Sequence, residues 1–272
     1  ENLFKKNIEI LSGEEEAICS AEGVKIGFDN VDGLVADLGG GSLELARVEN
    51  GLITNKTSLP LGVLRLINNP IVKKRNLSKY IKKLLKDEKW LTKKKFENLY
   101  LVGGTWRALF KLHLFQNKHP VHIIHQYSVN YETISTFVEK IASFNKAKLK
   151  TVEYISKSRT PYLPYSSIIL DEIMRATNPK NIICSISGIR EGSLAKNYFK
   201  TWFFIDFFAT FPLDLLIKAA NNGETSNAAR STKILRVLRL FRLFKLFRLL
   251  KLGSFFGKYE DLITINPAVI KL

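Results

Sequence analysis

The chain has 272 residues, with 42 Lys and Arg against 25 Asp and Glu, for a net charge of +17 at pH 7. Its 46% hydrophobic content is enough for the cores of one large or two modest domains. A basic balance can mark a nucleic-acid or anionic membrane partner. Here the runs Lys73-Lys74-Arg75, Lys82-Lys83 and Lys93-Lys94-Lys95 lack interleaved aromatics and read as solvated helix faces, so no nucleic acid is expected. Cys19 and Cys184 are isolated in sequence. That excludes a disulfide framework and a cysteine-based zinc site, and reduced cytoplasmic thiols are the expectation. No signal-peptide pattern opens the chain; with Glu at position 1 and an apolar segment resuming before Leu272, both ends read as cut.

In chain order, Asn7–Leu11 reads as a short strand and Ser12 as a helix start, with Glu15 three residues on completing a capping box. Gly33–Asp37 and Leu43–Val48 read as strands around the turn Leu38-Gly39-Gly40-Gly41-Ser42. A further turn at Glu49-Asn50-Gly51 leads into Leu52–Thr54, an antiparallel meander. Helical periodicity covers roughly residues 77–97, and Leu99–Val102 is a strand that ends at Gly103-Gly104-Thr105. Residues 131–155 and 165–176 read as helices, and Ile182–Ser185 as a last buried strand. Strands mixed with helices of this length point to an α/β or α+β domain.

Three glycines between strands, with an acid before and a hydroxyl after, can turn backbone N–H groups onto an anion. Asp37 would stand at the strand end, placed to hold a hydrated metal or orient water, and Ser42 could add one hydrogen bond. Gly103-Gly104 is a second strand-end glycine turn. The run Ile8–Ala17, the segment Leu34–Leu45 and Ser58-Leu59-Pro60-Leu61-Gly62 occur in order. They are followed by Leu101–Thr105, the stretch His119-Pro120 through Tyr127, and Ser187-Gly188-Ile189-Arg190-Glu191-Gly192. This ordered set resembles the exopolyphosphatase / guanosine-pentaphosphate phosphohydrolase (Ppx/GppA) family over about residues 1–195.

The resemblance implies actin/sugar-kinase/Hsp70-like architecture, two ribonuclease-H-like domains around a phosphate cleft, with Mg²⁺ as cofactor and polyphosphate or guanosine penta/tetraphosphate as partner. It makes Glu16 the general base, Asp37 and Glu44 the acids at the metal, and Gly39, Gly40, Gly41, Ser42, Gly103 and Gly104 the phosphate-binding positions. The stretch holding His113, His119, His122 and His125 becomes a structural connection rather than a metal site. Two departures stand out: the family's first phosphate loop precedes everything seen here, and Arg159-Thr160-Pro161 replaces its usual Arg-Ala-acid run. A sheet begun partway would expose an edge and a core face, and little or no turnover is expected.

After about Asn197 the composition changes. Thr201–Ile217 is nearly all apolar, residues 218–232 are polar, and seven cations then recur at strict intervals of three: Lys233, Arg236, Arg239, Arg242, Lys245, Arg248 and Lys251. At about 100° per residue such cations step slowly around a helix, whereas a surface-lying amphipathic helix alternates three and four. Cations in hydrocarbon are costly, so the ladder suggests sensing of a membrane potential, with Asp206 and Asp214 as counter-charges. Tyr198–Asp206 and Phe211–Asp214, followed by the ladder, resemble the third and fourth transmembrane segments of cyclic-nucleotide-gated, hyperpolarisation-activated and ether-à-go-go-like cation channels. Gly257–Leu272 resembles the start of the fifth. The expected whole is an α/β phosphatase-like region, truncated at its N-terminus, over 1–196, cytoplasmic. It is joined to an all-α voltage-sensor fragment over 197–272, in the membrane with lipid and other channel segments as partners. A soluble phosphatase-family protein with a basic amphipathic tail, or a non-functional assembly chimera, is the alternative.

Overall fold

The computed structural model describes residues 10–68, 74–92 and 95–210. Contacts divide the chain into two units, Glu1–Ala195 and Lys196–Leu272. The first begins with helix α1 (Gly13–Gly27), then β1 (Gly33–Leu38), β2 (Leu43–Glu49) and β3 (Leu52–Leu59). Helices α2 (Val63–Asn68), α3 (Lys74–Asp87) and α4 (Lys89–Thr92) lead to β4 (Asn98–Val102). Next come α5 (Gly104–Gln116), β5 (Ser128–Asn130), α6 (Tyr131–Ala142), α7 (Lys146–Lys150), α8 (Leu163–Thr177) and β6 (Asn181–Cys184). Helix α9 (Ile189–Thr201) follows, and the second unit adds α10 (Phe203–Thr210).

The six strands make one sheet in the order β3-β2-β1-β4-β6-β5. The β1–β2–β3 meander is antiparallel, β4 and β6 run parallel to β1, and β5 closes the far edge antiparallel to β6. Strand alternation assigns the two faces. Leu34, Ala36, Leu38, Leu43 and Leu45 join Leu99, Leu101 and Ile182 in the larger core, with Leu77 and Ile81 of α3, Trp106 and Leu109 of α5, Ile134 and Val138 of α6, and Leu170 and Ile173 of α8. Residues of the opposite parity, Val35, Ala46, Val48, Tyr100 and Val102, pack under Ala17, Ala21 and Val24 of α1. The Trp106 indole, fully buried, donates to the Ser166 carbonyl at 3.1 Å, so its N–H keeps a partner inside the larger core.

The mixed α/β sheet accords with the expected fold class. β1 lies inside the sheet, paired on both sides, and the described residues carry one sheet rather than two domains. Other details also differ. Residues 10 and 11 are irregular, and the rest of the strand expected there lies outside the described residues. The helix expected over 131–155 ends at Ala142, because the Asn145 side chain accepts from Lys148 N–H at 3.0 Å and starts a new, short turn. Helix α5 was not anticipated, although Trp106, Leu109, Phe110 and His113 recur on its buried side. The seven cations Lys233 to Lys251 and Asp214 lie outside the described residues. No helix among the described residues is long and apolar enough to cross a membrane.

Where α1 crosses the β6–α9 connection, the backbones touch. A Cβ on Gly23 would lie 1.9 Å from the Gly188 carbonyl oxygen, and one on Gly192 would lie 1.9 Å from that of Cys19. Alanine is worth about 1 kcal/mol over glycine in a helix interior, but overpacking against backbone costs about 1–3 kcal/mol because backbone cannot rotate away. Gly23→Ala is therefore expected to destabilise the protein in denaturant titration, while Gly41→Ala, whose Cβ meets nothing within 4 Å, leaves the midpoint within experimental scatter.

Candidate functional site

The three glutamates at the start of α1 separate by geometry. Glu15 accepts from the Ser12 backbone N–H at 2.8 Å while Ser12 Oγ accepts from Glu15 N–H at 3.3 Å, the capping box read in the sequence. Glu14 turns outward to an ion pair with Lys56 at 3.5 Å. Glu16 is half-buried, and its charge bears on both Asp37 and Glu44. One glutamate caps, one pairs at the surface, and one faces the acids.

Asp37 and Glu44 are direct partners across β1 and β2. Their positions share the α1 face of the sheet with Val35, Ala46 and Val48. Glu44 is only 5% exposed and accepts from the Ser58 hydroxyl at 2.9 Å, and Ser42 also bonds it. Asp37 accepts from the buried hydroxyl of Ser20, one helical turn after Glu16. Burial pushes both carboxyls above the ordinary range. The serine hydroxyls and, for Asp37, the Arg107 guanidinium oppose that rise, while Glu16 adds to it. Glu44 is raised further by Asp37.

Beyond these acids lie the carboxyl ends of β1, β4 and β6, where ligands of open α/β sheets sit. The N–H groups of Val63, Leu64 and Arg65 at the start of α2 donate to the carbonyls of Gly39 and Gly40 at 3.0–3.2 Å. In a trans peptide the N–H opposes the carbonyl, so the N–H groups of Gly40 and Gly41 point away from α2, with open space beside Gly41. Gly62 makes this seating possible, since its Cβ would lie 2.2 Å from the Gly41 carbonyl carbon. Gly103, at φ +112°, passes Leu38 so closely that a Cβ would lie 2.5 Å from its carbonyl oxygen. Gly188, after β6, comes near the Asp37 carboxylate, 3.7 Å from its would-be Cβ. Its N–H donates to Glu191 at 2.8 Å.

The structure thus brings Glu16, Asp37, Glu44 and the loop Gly39–Ser42 together, with Gly103-Gly104 in the turn between the adjoining β4 and α5. Ser42 is committed to Glu44. Sequence reasoning gave no role to Ser20, Ser58 or Arg107. Ser20 carried a usable signal, since four residues from Glu16 share a helix face; Arg107 carried none, because α5 itself was missed. Among the described residues no group of three or more His, Cys, Asp or Glu side chains could hold a metal ion. A magnesium site needs only one or two carboxylates when substrate phosphates and water complete it. The buried pair of Asp37 and Glu44, hard oxygen donors raised by burial, fits that need. In the second unit Asp206 is half-buried and accepts from the Tyr198 hydroxyl at 2.8 Å.

Residues 2–200 match the profile of the Ppx/GppA phosphatase family. The chain belongs to that family. It is 28% identical over 211 residues to Retrograde regulation protein 2 of Saccharomyces cerevisiae, a match covering 69% of this chain and 36% of the yeast protein. Its fold resembles an exopolyphosphatase from Cytophaga hutchinsonii, with a TM-score of 0.61, 17% identity and coverage of 70% of this chain and 65% of that one. A Ppx/GppA family member from Aquifex aeolicus gives a TM-score of 0.57 at 21% identity, with 72% and 65% coverage. The chain thus spans about a third of its curated relative and just under two thirds of these structures.

A carboxyl whose folded-state pKa is raised stabilises the fold at low pH and loses that contribution as pH rises through the folded value. Glu44→Gln keeps the hydrogen-bond acceptor and removes the buried charge. It is expected to raise the stability of the metal-free protein at pH 7, with the gain vanishing near pH 4. Urea titrations at the two pH values check both sign and window.

Proposed function

We propose that this site binds and hydrolyses the terminal phosphoanhydride of a polyphosphate chain, inorganic or carried on guanosine. The observation that carries the reading is the facing of Asp37 and Glu44 across β1–β2 beside Glu16 and the open glycine loop. Like charges placed directly opposite in a sheet destabilise it, and a bound cation would relieve their pairing on a buried face. Asp37 and Glu44 would hold Mg²⁺, which when bound neutralises phosphoryl oxygens. The outward N–H groups of Gly40 and Gly41 would bind the terminal phosphate, and the Arg107 side would balance its charge. Glu16 would take the proton of the attacking water as its oxygen bonds to phosphorus and the bridging oxygen leaves. The described residues would cradle the phosphate from one side, and positioning from several sides governs phosphoryl transfer; slow turnover is the expectation.

Isothermal titration of the whole chain with inorganic tripolyphosphate and Mg²⁺ tests the site. Gly41→Val places its side chain beside the loop, where a Cβ meets nothing within 4 Å, and is expected to weaken binding roughly tenfold or more by blocking charge-assisted hydrogen bonds. Equal affinity would remove the loop from the site. Glu16→Gln is expected to lower Mg²⁺-dependent phosphate release by about 10²–10⁴-fold with tripolyphosphate affinity unchanged or tighter, since it removes a nearby negative charge.

The regular ladder from Lys233 to Lys251 supports a separate reading, that this segment carries gating charge in an intact channel. Each charge crossing the full field is worth about 2.3 kcal/mol per 100 mV. With residues 198–252 grafted into a related channel, neutralising Arg239, Arg242 or Lys245 is expected to lower the gating charge moved. Unchanged charge would overturn this reading.

A further inference from the structure

A second cleft adjoins the glycine turn after β4. It has a volume of about 310 Å³ and is lined by Gly104, Arg107, Lys111, Tyr154 and Arg159 among others. Three of these are cations from two separate segments, α5 and the loop before α8. The Arg159 guanidinium lies directly over Gly104: a Cβ there would come within 1.5 Å of its terminal nitrogen, so only glycine leaves it room. Arg107 lines this cleft, its charge also acts on Asp37, and the neighbouring Gly103 packs against Leu38 beside the glycine loop. The cleft therefore starts beside the end of β1, where the glycine loop begins.

At the far side of this cleft the chemistry changes from cationic to aromatic. The Tyr154 ring stacks on Phe115 with centroids 4.2 Å apart and planes 9° from parallel. Phe115 in turn stacks on His122 at 4.4 Å and 29°. Two parallel neighbours at such distances occupy opposite faces of Phe115, so Tyr154 ends a three-ring stack. Tyr154 is nonetheless 58% exposed, and it adopts φ +67°, a left-handed conformation uncommon for a bulky residue. A large ring held still by two others, open to solvent and beside three cations, is preorganised to stack on a planar group that carries phosphates.

We propose that Tyr154 is a stacking platform for a nucleobase, and that the cleft between α5 and Arg159 selects a nucleoside polyphosphate over an inorganic chain of the same charge. This rests on the phosphate site proposed above and names what occupies its outer end. Lys111 and Arg159 would contact phosphates between the base and the reacting end, together with Arg107.

The test compares GTP with inorganic tripolyphosphate by isothermal titration in Mg²⁺, using the full Glu16→Gln chain so that neither ligand is consumed. GTP is expected to bind more tightly, by roughly 5- to 150-fold, the range for one base–aromatic stack. Tyr154→Asn removes the ring while suiting the left-handed backbone. It should bring GTP down to the affinity of tripolyphosphate and leave tripolyphosphate unchanged, whereas Tyr154→Phe should keep the preference. Arg159→Ala should weaken both ligands. If the two ligands bind equally, or if the preference survives Tyr154→Asn, the platform is overturned while the phosphate site stands. If neither ligand binds, the phosphate reading fails and this inference falls with it.

Discussion

Two carboxylates stand opposite each other on adjacent antiparallel strands, and the register that puts them there also determines what else the domain contains. Asp37 and Glu44 are partners on β1 and β2, on the face that α1 covers. Shifting either strand by one residue would turn its acid into the larger apolar core and its leucines toward α1. Leu34, Ala36 and Leu38 on one strand and Leu43 and Leu45 on the other hold the register by their burial. The hydrophobic effect thus supplies the stability that holds an electrostatically unfavourable pair in place.

Around that pair the backbone closes up through missing side chains. Gly13 lets the start of α1 rest on Ser58, Gly62 seats the glycine loop, Gly103 passes Leu38, and Gly23 and Gly192 bring α1 against the segment after β6. Each contact joins elements distant in sequence, and together they draw Glu16, Ser20, Asp37 and Gly188 into one place. The same close packing orients the site. With the carbonyls of Gly39 and Gly40 taken by α2, the loop offers N–H groups to the open side, and an anion is what such groups bind.

Much of this was legible in the sequence because it is local. The capping box at Ser12 and Glu15, the meander around Gly39–Gly41 and Asn50-Gly51, and the buried run Leu99–Val102 are written in neighbouring residues. The unanticipated elements depend on distant ones. Helix α5 begins at a glycine turn with no side-chain cap, so its start is set by the packing of Trp106, Leu109 and Phe110. β5 is three residues long and exists through its pairing with β6. The break between α6 and α7 comes from one asparagine that outweighs a continuous helical pattern. Tyr154 and Arg159 sit in an irregular loop where no periodicity points to them.

By itself the sequence determined the family and the cast of chemical groups, because ordered short motifs such as Ser12–Ala17, Asp37–Glu44 and Ser187–Gly192 survive as linear patterns. It determined the ladder Lys233–Lys251 in the same way, as spacing alone. Only the tertiary structure decided which of three adjacent glutamates faces the acids, that Ser20 and Ser58 hold the carboxylates, and that Arg107 and Arg159 from separate segments line one cleft. Burial, field strength and close approach depend on distance in space. Residues 16, 37 and 107 become neighbours only when the sheet forms.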